Sequence, residues 1–166
     1  NTPISETGGE STLTATLKDG QGNLVNAIGD VTVTLAYSGS ATAPGTAAED
    51  YTLSGANQPN IVIASGTSSG TVKITAKTDT TFEGDETVIV EISDVGGNGS
   101  ENGTQEVTVT INDTNPVPTV TLAGNTPISE TGGESTLTAT LNDGQGNLVD
   151  AIGNVTVTLA YSGSAT

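Results

Sequence analysis

GTVKITAKTDTTFEGDETVIVEI, residues 70–92, sets two alternating apolar runs on either side of an acidic turn. Val72, Ile74 and Ala76 fall at every second position before the turn, and Val88, Val90 and Ile92 do the same after it. A period of two places each set on one face of a β-strand. Between them lie four carboxylates, Asp79, Glu83, Asp85 and Glu86, in a chain of which only 13% is charged. Like charges this close repel, so either open solvent or a cation must offset them.

The same alternation recurs on both sides. TLTATL (residues 12–17) aligns Leu13, Ala15 and Leu17, and VTVTLAY (residues 31–37) aligns Val31, Val33, Leu35 and Tyr37. NIVIA (residues 60–64) is a short strand, EVTVTI (residues 106–111) aligns Val107, Val109 and Ile111, and TVTLAG (residues 119–124) is a further strand. Turns rich in Gly, Asn and Ser, such as DGQGN, SGTSSG and GGNGSENG, separate them. No segment has helical periodicity. The pattern predicts an all-β fold, a seven-stranded antiparallel β-sandwich of immunoglobulin-like architecture, without the Cys and Trp signature of antibody domains.

A second level of organisation is a repeat. The 42 residues from Asn1 return from Asn125, an offset of 124 residues, with changes only at Lys18/Asn142, Asn26/Asp150 and Asp30/Asn154. A 124-residue period is too long for a solenoid and fits a tandem string of domains. Pro116 and Pro118 in NDTNPVPT stiffen the chain where one unit should end. The expected division is a nearly complete repeat over 1–113 lacking its first strand, a linker over 114–118, and an N-terminal fragment of the next repeat over 119–166. The abrupt ends suggest a piece of a longer chain. The strand TVTLAG of one chain is therefore expected to complement the gap in another.

Composition excludes several functions. The net charge is −16, with 19 acidic residues against Lys18, Lys73 and Lys77. That balance argues against nucleic acid or an anionic membrane as partner, and no run of about 18 apolar residues is present to span a bilayer. Absence of Cys and His removes thiolate and imidazole metal sites and triads of the Ser-His-Asp kind. Paired carboxylates can hydrolyse glycosides, but no aromatic sugar platform accompanies them, so the chain is not expected to be an enzyme. DGQGN lacks the later acids and flanking helices of an EF-hand. GGNGSENGT is a single nonapeptide of a kind that works by stacking, and the Thr-x-Thr pairs are polar strand positions facing water.

In an antiparallel sandwich, successive loops alternate between the two ends. Glu6, Asp50, Asp79 with Glu83, and Asp113 follow the first, third, fifth and seventh strands, so they gather at one pole. Carboxylates without basic partners suit a hard cation such as Ca²⁺, which takes roughly six to eight oxygens. Asp85 and Glu86 are expected to face solvent or a second, weaker ion.

GSATAPGTAAEDYT, then the stretch from Gly70, then EVTVTIND, together resemble the Calx-β motif. That resemblance implies a calcium-binding β-sandwich whose ligands fall on Glu6, Asp50, Asp79, Glu83 and Asp113. Thr78 stands where the family often has a first Asp, and NDTN replaces a terminal run of Asp, which implies fewer ions than the fullest members hold. The near-identical repeat, the acidity and the absence of Cys further resemble extender repeats of RTX-type bacterial adhesins. The implied role is a calcium-stabilised spacer on the extracellular bacterial surface, with neighbouring repeats as partners. Asp143, in the neighbour's NDGQGN loop, is a candidate bridging ligand at the linker. A module that itself binds glycan, ice or a surface, and a Calx-β calcium sensor, are the alternatives.

Overall fold

The structure, a computed structural model, describes residues 2–124 and 127–163. It divides into two compact units, Asn1–Thr114 and Asn115–Thr166. The first contains β1 (Ile4–Ser5), β2 (Glu10–Thr16), β3 (Val31–Ser38), β4 (Tyr51–Ser54), β5 (Ile61–Ile63), β6 (Ser69–Ala76), β7 (Glu86–Gly96) and β8 (Glu106–Asn112). One sheet has the order β1-β8-β7-β3-β5 and the other β2-β6-β4. Among the described residues there is no helix long and apolar enough to cross a membrane.

The expected all-β sandwich is present, but its strand count and its purely antiparallel pairing are not. Among the described residues the first unit holds eight strands without TVTLAG, of which β1 and β4 lie beyond those expected. Two residues of β1 are too few for alternation to register. β1 also runs parallel to β8, with Ile4 beside Ile111 and Ser5 beside Asn112, so this sheet is mixed.

Alternation builds the core. Val33, Ile61, Val88, Val90, Val109 and Ile111 from one sheet meet Leu13, Tyr51, Val72, Ile74 and Ala76 from the other. Each fully buried Val or Ile contributes about 1.5–3 kcal/mol relative to exposure. β6 can run close to β5 because Gly70 has no side chain, since a Cβ there would collide with Val62 and Ile61. Val107, expected inward, is 39% exposed, because it lines an open groove between the sheets.

The second unit contains β9 (Thr119–Gly124) paired antiparallel with β10 (Leu137–Asn142). Every residue of β9 is exposed. Gly144, in the turn after β10, lies against Pro116, where an added Cβ would come within 3.2 Å of the ring.

Candidate metal centre

Strand register explains the pole. In one sheet Ile111 pairs with both Ile4 and Glu86, so β1 and β8 end where β7 begins. In the other, Tyr51 pairs with Ala76, so β4 begins where β6 ends. Glu6, Asp113, Asp50 and Asp79 lie within three residues of these ends, and Glu83 lies three residues before Glu86. Residues far apart in sequence thus converge.

Asp50, Asp79 and Glu83 each offer a carboxylate oxygen, and these oxygens lie within 4.8 Å of one another. Glu6 and Asp50 are buried, at 7% and 8% exposure. Together with Glu86 and Asp113 they enclose a gap of about 10 Å³ floored by Ile111, room on the order of one water or ion. Five of the six sequence candidates, Glu6, Asp50, Asp79, Glu83 and Asp113, therefore meet around one point.

Backbone amides hold several of these carboxylates in place. The N–H groups of Glu83 and Gly84 both donate to Asp113 Oδ2 at 2.6 Å. Gly84 has φ of +81°, a left-handed conformation that an L side chain resists, and this bend carries the acidic turn over Asp113. Thr81 N–H donates to Asp79 Oδ1 at 2.6 Å, and Thr42 N–H donates to Asp50 Oδ2. Glu6 Oε2 accepts the Thr114 N–H at 3.0 Å, tying the start of the sandwich to its last described residue before the second unit.

The electrostatics are those of crowded acids. Burial pushes the Glu6 carboxyl up, against the pull of the Thr114 amide, and the charges of Asp79 and Asp113 push it further. Glu83 is raised by burial, then by Asp50, Asp79 and Asp113. Lys77 borders the gap, but its ammonium pairs with Glu49 at 3.0 Å. An all-oxygen donor set with several carboxylates and no nearby free cation matches a hard divalent ion such as Ca²⁺.

Glu86 does not face solvent as expected. It is half-buried at the gap, and burial together with a hydrogen bond to Asp50 and the charges of Asp50, Glu83 and Glu6 pushes its carboxyl up to about 7. Alternation held the signal, because Glu86 shares parity with Val88 and Val90 and so belongs to the inward face of β7. Asp85 is exposed, and its Oδ1 accepts the Asp113 N–H at 3.1 Å.

Asp143 lies in the second unit, where its oxygens are taken up locally. Oδ1 accepts the N–H groups of Gln145 and Asn147 at 2.9 and 2.8 Å, and Oδ2 accepts Asn147 Nδ2 at 2.8 Å. Hydrogen bonds from Asn147 lead the causes that lower its carboxyl below the usual range. Asp19 makes the same turn in the first unit, with Gln21 and Asn23 as donors.

No protein-family model matches this sequence, and no curated protein does. Among solved structures, the calcium binding domain CBD12 of CALX1.1 is similar, with a TM-score of 0.50 and 17% identity over 67% of this chain. CBD12 of CALX1.2 is matched at a TM-score of 0.46 and 16% identity, again over 67% of this chain. The matched part corresponds to 40% of each of those chains. At this identity the likeness concerns the fold, and in fold this chain is a Calx-β-like β-sandwich.

Proposed function

We propose that the chain is a calcium-stabilised structural module, a spacer in a tandem array on a bacterial surface. The observation that carries this reading is the convergence of Asp50, Asp79 and Glu83 oxygens within 4.8 Å. Glu6, Glu86 and Asp113 surround them, and no ammonium is shared among them. An ion bound there replaces mutual repulsion with attraction and couples metal binding to folding. Glu6, Asp50, Asp79, Glu83 and Asp113 would supply most of the oxygens, with Glu86 as a sixth carboxylate once deprotonated.

The spacer role follows from the 42-residue block that returns after 124 residues, because in a string of like domains reach scales with copy number. Calcium would stiffen each domain where the chain leaves it, since Thr114 is bound to Glu6. The strongly acidic composition and the lack of Cys suit a surface exposed to millimolar calcium. Affinity should fall in the extracellular range, with a dissociation constant on the order of 10⁻⁴–10⁻³ M.

Scanning calorimetry with and without calcium tests the reading. The expected result is a higher Tm in millimolar calcium that EDTA reverses, and a much smaller rise with Mg²⁺, which dehydrates reluctantly. An unchanged Tm in calcium would overturn it.

A further inference from the structure

Residues 97–105 join β7 to β8 and hold both Asn-Gly pairs of the chain, Asn98-Gly99 and Asn102-Gly103. Asparagine is among the thermally labile residues. It is most labile before glycine, which has no Cβ to shield its backbone nitrogen. Reaction requires that nitrogen to swing onto the asparagine side chain. The two pairs have the same chemistry, so their surroundings decide between them.

Gly99 is packed. A Cβ there would come within 2.9 Å of Val31 Cγ1 and 3.1 Å of Val95 Cγ1, and Val31 is buried in a cluster with Ala27 and Ile63. An interior at native density leaves a backbone resting on it little room to turn. Gly103 is open. Nothing lies within 4 Å of a Cβ added to it, and its φ of +67° is one that glycine reaches readily. Asn102 is exposed, and among the described residues neither its side-chain amide nor the Gly103 N–H has a hydrogen-bond partner. The Asp-Gly pairs elsewhere do not compete. Asp19 and Asp143 are held by the amides of Asn23 and Asn147 and kept ionised, and a carboxylate is a poor electrophile.

We infer that Asn102 is a site of spontaneous deamidation and that the packing of Gly99 protects Asn98. The Gly103 nitrogen attacks Asn102 Cγ, its proton passes through water to the side-chain nitrogen, and ammonia departs, leaving a succinimide ring. Water then opens the ring. Cleavage of the bond from the Gly103 nitrogen to Cγ gives aspartate, and cleavage of its bond to the main-chain carbonyl carbon gives isoaspartate. Either product adds a negative charge beside Glu101. Isoaspartate also routes the backbone through Cγ, lengthening it by a methylene. The Asn102 carbonyl, which accepts Gln105 Nε2 at 2.8 Å, then becomes a side carboxylate. That loosens a loop tied to β7 where the Gln105 carbonyl accepts the Ile92 N–H at 3.2 Å. The site is independent of the calcium reading.

Incubation of the full chain in warm, mildly alkaline buffer, followed over time by peptide mapping with mass spectrometry, is the test. The same chain unfolded in urea gives the reference rate for each pair. At Asn102 the folded chain should react nearly as fast as the unfolded one. The products should show the mass gain of O replacing NH, a more acidic isoelectric band, and both aspartate and isoaspartate peptides. At Asn98 folding should slow the reaction by at least about tenfold, since the loop must first open locally. Asn102→Gln should abolish the fast charge change. Equal protection of the two pairs, or reaction confined to Asn98, would overturn the inference, and so would a fast charge change that survives Asn102→Gln.

Discussion

Residues 31–37 and 155–161 carry the same sequence, VTVTLAY. The first copy lies within β3, with β7 on one side and β5 on the other. The second forms no strand. Val31 and Val33 are 1% and 4% exposed, whereas Val155 and Val157 are 55% and 40% exposed. Ile4 and Ile128 differ likewise, at 7% and 56%. Identical local preferences thus lead to different structures, because a strand's stability comes from cross-strand neighbours and the opposing sheet more than from backbone propensity. The acids obey the same logic. Glu6 is buried at the pole, bound by Thr114 and facing Asp79 and Asp113, while its counterpart Glu130 is exposed.

The largest effect that can break this comparison is a core truncation made in both copies. Val33→Ala should cost about 2 kcal/mol in urea denaturation, from lost burial and the cavity left behind. Val157→Ala should stay within about 0.5 kcal/mol. Similar costs at both positions would mean that the second copy is packed as the first is.

Calcium gives a comparison of similar size. With a dissociation constant of 10⁻⁴–10⁻³ M and calcium near 10 mM, binding adds about 1.4–2.7 kcal/mol. Glu6→Gln should shrink that gain and Glu130→Gln should leave it intact, as read by calorimetric Tm with and without EDTA. Asp79→Asn should behave like Glu6→Gln. A loss of calcium response with Glu130→Gln would move the site out of the first unit.

Acidity tests the pole of the first unit more gently. Glu86 is raised from 4.5 to about 7, and Glu6 and Glu83 are raised as well. A carboxyl with a raised folded pKa binds protons more readily folded than unfolded, so it lowers stability above its folded pKa and stops doing so below its unfolded one. In EDTA, stability should therefore rise as pH falls from above about 7 toward about 4.5. The calcium gain should shrink over the same window, since the ion needs deprotonated oxygens. A steady loss of apo stability across that range would contradict the crowding at the pole.

The smallest effect should be the same in both copies. Asp19 and Asp143 close the same turn with the same donors. Asp19→Ala and Asp143→Ala should each remove hydrogen-exchange protection from the amides of Asn23 and Asn147 respectively, at under about 1 kcal/mol. This turn needs only its own five residues, so unequal losses would show that tertiary contacts support one of them.

Much of the candidate site was legible because alternation and loop parity are simple rules. They put Glu6, Asp50, Asp79, Glu83 and Asp113 at one pole, where the fold brings them together. Applied one residue further, the same rule would have turned Glu86 inward. β1 was not legible, since two residues carry no period and its parallel partner β8 lies about a hundred residues away in sequence. Val107 was read as core from its parity, but it lines the open groove between the sheets.

By itself the sequence determined the all-β class, the faces of the longer strands, the acidic pole and the local turns at Asp19 and Asp143, all of which rest on period-two alternation or on contacts within a few residues. Tertiary structure decided that VTVTLAY at residues 31–37 becomes a strand between two others and that Glu6 is buried at the pole. Those outcomes depend on partners distant in sequence, and burial and hydrogen bonding stabilise a strand only where such partners are present.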